Sequence, residues 1–426
     1  MSLTARQYAR ENKEFNYWRV RTMYSIMIGY GLFYTVRQNL SFAVPSMCSE
    51  LGISKSDIGF AMSIGAIIYG VGKFIFGLVG DRYSARYVMA IGLFASGLMN
   101  IFLGMSSLLP LIVLFFALNQ CFQSMGSPPC SKMLANWFGK SEQASKWSIW
   151  NTSLHVGGAF AGFISPWLLE RSGWRMVFYA PGIIAVLASF FIINRLRDTP
   201  KSLGFPSVDE IEGVEPRVKI CNKLNFRKTA KLVLTNKFVW TLGFANMFIY
   251  INRMTFINWG PTMLQEARGS SSFFSGHMMA LFDLSGIVGA LIVGHLSDKY
   301  FRNKRSVPAM LCMLCVVLLN LLFLYIPKNS IILNVICLGG LGAFMTAPIV
   351  LINALIAGHI DGKAVASAIG FSGTMGYFGT ALAGFGTARI AETLGWNAVV
   401  VFTMSAAFIA SILFYISARS QKNSNK

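Results

Sequence analysis

Six apolar runs, each long enough to cross a bilayer, fill most of the first 194 residues, near 22–44, 58–80, 87–106, 110–136, 145–169 and 174–194. Six more lie near 236–263, 273–296, 306–326, 330–357, 364–391 and 397–418. A helical crossing takes roughly 20 residues, and within hydrocarbon only helices and closed barrels satisfy every backbone polar group. The chain is therefore expected to be an all-α membrane protein with twelve transmembrane helices in two six-helix halves. Residues 195–235 carry Pro200, Pro206 and Pro216 among mixed charges and form the one long hydrophilic segment. They read as a cytoplasmic linker between an N-terminal half, 1–194, and a C-terminal half, 236–426. Composition closes the soluble alternative, since 54% of the 426 residues are hydrophobic and 13% charged, whereas soluble domains carry about 25% charged residues.

The formal charge is +20, from 37 Lys and Arg against 17 Asp and Glu. In a soluble protein that excess would suggest nucleic acid. Here the cations gather in alternate gaps, at Arg82/Arg86, Lys140/Lys146, Arg195/Arg197, Lys299 to Arg305 and Arg419 to Lys426, on the side of Arg6, Arg10, Lys13, Arg19 and Arg21. The positive-inside rule then places both termini in the cytoplasm. A multi-pass membrane location is expected, with the lipid bilayer and no nucleic acid as partner, and a monomer as the oligomeric state. The first apolar run is long enough to span and lacks a small-residue cleavage site, so it does not read as a signal peptide. The seven cysteines show no paired spacing against histidines, so they read as apolar fillers and neither metal nor cofactor is expected.

The halves are copies. Tyr34-Thr-Val-Arg37 recurs as Tyr250-Ile-Asn-Arg253 at an offset of 216, and Gly77-Leu-Val-Gly-Asp81-Arg82 as Gly294-His-Leu-Ser-Asp298-Lys299 at 217. Ala159 to Phe163, running on to Gly173-Trp174, recurs as Ala381 to Phe385 and Gly395-Trp396 at 222, a register in which His155 and Tyr377 correspond. An even number of spans per half gives the copies one orientation, the parallel repeat that puts a substrate site between halves at mid-membrane. Asp81, Arg82 and Asp298 sit at helix ends where an acid can cap a neighbouring helix or pair with the cations that follow it, and they read as a conformational latch.

A charge deep in a transmembrane helix costs about 2.5–3.5 kcal/mol or more, so each is a functional candidate. Arg37, Lys73, Arg253 and Asp283 qualify. Cations outnumber acids among them, which leaves the substrate to supply the missing anion. Two arginines, one from each half, suit a phosphate, because each guanidinium offers parallel N–H donors to two oxygens of the same dianion. The alternative reading makes one of them a structural counter-ion of Asp283. Tyr34 and Tyr250 precede the arginines by one helical turn, Tyr30 lies a further turn back, and Tyr69 stands four residues before Lys73. These tyrosines either donate to phosphate or sugar oxygens or pack as aromatics. His155, with Asn151 one turn before it, is a ligand or a hydrogen-bonded packing residue.

Enzyme motifs lack their parts. Gly139-Lys140-Ser141 has Leu134 where a phosphate-binding loop needs glycine, and neither zinc-protease nor serine-hydrolase signatures occur.

Taken together, the chain resembles the organophosphate:phosphate antiporters of the major facilitator superfamily, which include bacterial hexose-phosphate and glycerol-3-phosphate transporters. The likeness is carried by Tyr30-Gly-Leu-Phe-Tyr34-Thr-Val-Arg37, Tyr69-Gly-Val-Gly-Lys73, Gln123 to Cys130, Trp150-Asn151, Tyr250-Ile-Asn-Arg253 and Gly376-Tyr377-Phe-Gly379. It implies a major facilitator fold with a parallel pseudo-two-fold repeat and a rocker-switch exchanger. In such an exchanger inorganic phosphate and a phosphorylated sugar or polyol are bound alternately by the arginines matching Arg37 and Arg253, with Lys73 matching the family lysine. The family acid in the eighth helix is usually glutamate, one methylene longer than Asp283. The family pattern Trp-Asn-x-x-His-Asn places its histidine one residue earlier than His155 stands here. Where hexose-phosphate carriers have Asp and Lys after the tyrosine matching Tyr377, this chain has Thr380 and Ala383, a resemblance to the sensor-like branch. Hexose phosphate is the expected ester, with glycerol-3-phosphate, phosphoglycerate or a receptor role as alternatives.

Overall fold

The computed structural model describes residues 4–213, 232–301, 304–327, 330–359 and 365–424, and among them every regular element is helical. Short α1 (Ala5–Glu11) leads into α2 (Lys13–Leu51), α3 (Lys55–Arg82), α4 (Ala85–Met105), α5 (Leu109–Gln123), α6 (Ser127–Trp137), α7 (Lys140–Ser172) and α8 (Met176–Arg195). After a one-turn 3-10 helix at Pro200–Leu203 and short α9 (Val208–Ile211) come α10 (Lys237–Arg268), α11 (Ser272–Tyr300), α12 (Ser306–Tyr325), α13 (Ile331–His359), α14 (Val365–Leu394) and α15 (Trp396–Ser424).

The expected spans are all present as helices, and most run on past the apolar core. The run near 110–136 is broken between α5 and α6, where Ser124, Met125 and Gly126 interrupt the helix and proline occupies the first turn of α6. Among the described residues, eight spans are long and apolar enough by composition to cross a membrane, α5 and α6 counting as one. The four long helices outside that set, α2, α7, α10 and α14, carry Tyr30, Tyr34, Arg37, Asn151, His155, Tyr250, Arg253 and Tyr377. Presenting those side chains uses positions that a lipid-facing helix would give to leucine.

Cα packing divides the chain into two compact units, one of Met1–Arg37, Ile68–Gly158 and Phe178–Leu224, the other of Gln38–Ile67, Ala159–Val177 and Asn225–Lys426. In the first, Phe15 packs against Tyr8, Trp137 and Phe205, with ring centroids 5.1, 5.9 and 5.6 Å away. Trp137 Nε1 donates to the Arg197 carbonyl at 2.8 Å and the Arg86 amide to Asp198 at 2.7 Å. Val208 is buried. The beginning of the expected linker is thus packed onto helix ends, while 214–231 lie outside the described residues.

In the second unit α10 packs on α14, α11 on α13 and α12 on α15. Two glycine crossings bring residues 38–67 and 159–177 into it. A Cβ on Gly384 would sit 2.9 Å from the Gly59 carbonyl oxygen, and one on Gly162 would sit 2.7 Å from that of Gly276. Gly162 and Gly384 are 222 residues apart, Gly59 and Gly276 217, so the two crossings are repeat copies of one contact. The same duplication appears inside each unit. A Cβ on Gly157 would lie 2.1 Å from the Gly31 oxygen, and one on Gly379 2.2 Å from the Met247 oxygen. The sequence repeat is therefore also a repeat of helix packing, as a parallel pseudo-two-fold requires.

Candidate functional site

Within the first unit, the absence of a side chain at Gly157 lets α7 approach α2 closely, and Thr35 Oγ1 donates across the crossing to the Gly157 carbonyl at 3.1 Å. That approach brings Trp150 onto Tyr30, with ring centroids 4.6 Å apart, and Tyr30 meets Tyr34 edge-on at 5.3 Å. Arg37 is half-buried at the end of this ladder. Its guanidinium carbon stands 4.3 Å from the Tyr69 ring centroid and 5.6 Å from that of Tyr34. Both aromatic faces attract the cation through their ring quadrupoles. Lys73 follows Tyr69 by one turn of α3 and is half-buried. Tyr30, Tyr34, Arg37 and Tyr69 thus form one contiguous group.

The sequence pairing of Asn151 with His155 separates in the structure, Asn151 being exposed and His155 buried at 3% exposure. Trp150, quoted above only as part of the resemblance, packs from α7 onto the tyrosine ladder.

Within the second unit, Arg253 Nη2 lies 3.5 Å from Asp283 Oδ1, with both side chains at least nine-tenths buried. The reading of Arg253 as counter-ion of Asp283 therefore describes a contact that is present, and the shorter aspartate still reaches its partner. A buried pair offsets the desolvation of each charge only while both are present. Tyr250 and Tyr377 meet edge-on with centroids 6.3 Å apart. Gly376 makes room for that arrangement, since a Cβ there would stand 3.1 Å from the Tyr250 ring and 3.2 Å from Asn246 Nδ2. Asn246 itself donates to the Ser372 carbonyl at 2.8 Å, tying α10 to α14 beside the two tyrosines. Sequence reasoning did not single out Asn246, a lone polar residue in an apolar turn.

At the helix ends, Asp298 is exposed and pairs with Arg305 at 2.8 Å, the expected bond between the acid and the cations that follow it. Arg82 is exposed, and the side chain of Asp81 lies outside the described residues. Among the described residues no His, Cys, Asp and Glu group is arranged to hold a metal.

The family model described as Major Facilitator Superfamily matches residues 26–358. The chain belongs to the major facilitator superfamily. Within it, the similar sequences place this transporter in the organophosphate:phosphate antiporter family. It is 35% identical over 417 residues to the probable hexose phosphate transport protein of Chlamydia trachomatis, covering 94% of this chain and 91% of that one. It is 33% identical to the glycerol-3-phosphate transporter of Bacillus subtilis, over 94% and 92% of the two chains. It is equally 33% identical to the membrane sensor protein UhpC of Escherichia coli, again over 94% and 92%. A bacterial homologue of the lysosomal transporter Spinster shares the fold at a TM-score of 0.79 and 15% identity, over 95% of this chain and 98% of that one. The transporter is a multi-pass membrane protein and not an enzyme.

Proposed function

We propose that the transporter exchanges inorganic phosphate for an organic phosphate ester across a bacterial inner membrane by alternating access, with both termini in the cytoplasm and hexose phosphate as the preferred ester. The observation that carries this reading is the duplicated Tyr-x-x-Arg, in which Arg37 rests on the faces of Tyr69 and Tyr34 and Arg253 sits beside Asp283. A guanidinium is a planar fork of N–H donors that matches two oxygens of one phosphate, which is why arginine suits this cargo. Relatives named for hexose phosphate and for glycerol-3-phosphate support a phosphorylated cargo, and a Salmonella typhimurium relative 27% identical is named a phosphoglycerate transporter protein. Tyr30, Tyr34, Tyr69, Lys73, Tyr250 and Tyr377 are assigned to the ester and phosphate oxygens, and Asn151 and His155 to supporting positions on α7.

The reading is tested by counterflow of labelled phosphate in proteoliposomes, competed by glucose-6-phosphate, glycerol-3-phosphate and phosphoglycerate. Exchange displaced best by glucose-6-phosphate is the expected result. Uptake that needs no internal phosphate and collapses with an uncoupler would replace antiport by proton symport.

Thr380 and Ala383, both buried in α14, together with the likeness to a membrane sensor, favour a second reading. In it the chain binds a sugar phosphate and signals to a membrane partner. A receptor of that kind binds glucose-6-phosphate and gives no counterflow.

A further inference from the structure

A second concentration of positive charge lies in the first unit, away from the Tyr-x-x-Arg group. A cavity of about 610 Å³ is lined by Arg6, Arg10, Lys13, Arg19 and Lys146 with a single carboxylate, Glu142. That carboxylate is already engaged. Arg19 Nη2 donates to Glu142, both side chains are largely buried, and the Arg19 guanidinium also packs over the Phe138 ring at 4.8 Å. Among the described residues no carboxylate stands within ion-pair distance of Arg6, Arg10, Lys13 or Lys146. Arg6, Arg10 and Lys13 are exposed and Lys146 half-buried, so water screens them in part, but four like charges around one concavity still focus a positive potential that draws an anion.

The register of α2 gives the pocket a direction. Asn16, Val20, Met23 and Met27 line it, and the alternation of four and three residues that connects them continues through Tyr30, Tyr34 and Arg37. Such spacing keeps side chains on one helical stripe. Arg19 and Arg37 are 18 residues apart, about 27 Å along a helix, so a small anion at one is not at the other. We propose that this pocket is a second anion site, taking a phosphate-bearing group and lying on the helix stripe that leads to Arg37. The phosphate chemistry rests on the transport reading, whereas the anion requirement does not. The group is either free phosphate or its ester, or the headgroup of an anionic lipid.

The test uses the full-length protein in phosphatidylcholine nanodiscs at low salt, with inorganic phosphate as probe and Arg37→Lys as background to weaken the Tyr-x-x-Arg site. Salt-sensitive phosphate binding should persist in Arg37→Lys and weaken at least about tenfold when Arg10→Gln, Lys13→Gln and Lys146→Gln are added. The charge-keeping set Arg10→Lys, Lys13→Arg and Lys146→Arg should restore it, separating lost charge from lost folding. Repeating the titration in phosphatidylglycerol nanodiscs assigns the source. Suppressed phosphate binding identifies a lipid headgroup, and unchanged binding identifies the free anion. Equal affinity and equal salt dependence with and without the three glutamines would overturn the site. Failure of counterflow alongside intact pocket binding would overturn the transport reading and leave the site standing.

Discussion

The indole Nε1 of Trp396 donates to Glu266 Oε2 at 2.9 Å. Trp174, 222 residues earlier in the chain, makes the same bond to Glu50 Oε2 at 2.8 Å. The backbone that delivers these pairs is duplicated too. Gly52 and Gly269 follow the acid-bearing helix ends at φ 65° each, and Gly173 and Gly395 precede the tryptophans at φ 79° and 83°. A left-handed glycine ends a helix without a Cβ clash, so each copy turns its chain in the same way and presents the same carboxylate to the same indole. Glu266 also accepts from Lys55 Nζ at 2.7 Å, and Glu50 from Arg175.

Arg175 first, and then Trp174, holds the Glu50 carboxyl below the usual carboxylate range. A depressed folded-state value contributes stability that is present above the ordinary carboxylate range and lost as pH falls through the folded value. The difference in thermal stability between wild type and Glu50→Gln should therefore be constant near neutrality and shrink on acidification below about pH 4. A difference that stays constant down to strongly acidic pH would contradict the assignment. Because both proteins share every other titrating group, the comparison isolates Glu50.

The Gly157–Gly31 and Gly379–Met247 approaches predict a matched pair of defects. A methyl group at either glycine meets a backbone oxygen at 2.1 or 2.2 Å, which a rigid helix pair relieves only by separating. Gly157→Ala and Gly379→Ala should each destabilise the protein by about 1–3 kcal/mol, read as a lower unfolding temperature in detergent. Gly157→Ala should also perturb Trp150 on Tyr30, visible in tryptophan fluorescence. Gly77→Ala, where a Cβ meets nothing within 4 Å, serves as the silent control. Equal stability of all three variants would refute the packing argument.

The Arg253–Asp283 pair predicts asymmetric tolerance at position 283. Asp283→Asn removes the charge from a buried pair, a change that costs on the order of 3–5 kcal/mol, so expression, stability or exchange should fall sharply. Asp283→Glu keeps the charge and should retain most exchange. Wild-type exchange and stability in Asp283→Asn would show that Arg253 does not depend on this carboxylate.

Much of this was legible in the sequence, for identifiable reasons. Span number follows from apolar run length, because lipid imposes a length and a composition at once. Arg37, Arg253 and Asp283 were legible because charge is rare inside a span. Glu50 and Glu266 were not, because an acid at a helix end is ordinary and only the folded chain shows the indole that meets it. Trp150 was hidden because aromatic residues are common in apolar helices, and its contact with Tyr30 depends on Gly31 and Gly157 making the crossing close. The break at Ser124–Gly126 did carry a signal, since Gln123-Ser-Met-Gly126-Ser-Pro128-Pro129 is polar and holds two prolines, but a count of span length alone reads through it. The separation of His155 from Asn151 reflects a burial boundary that passes between two residues one turn apart, which periodicity alone does not place.

The central claim is that the arginines of the repeated Tyr-x-x-Arg hold phosphate through their forked donors. Labelled phosphate exchange in proteoliposomes, compared among wild type, Arg37→Lys and Arg253→Lys, tests it most directly. Lysine keeps the charge and loses the fork, and losing one charge-assisted bond costs about tenfold to a hundredfold. The account predicts a loss of that size in each variant with the protein still folded. Wild-type exchange rates in both lysine variants would contradict it.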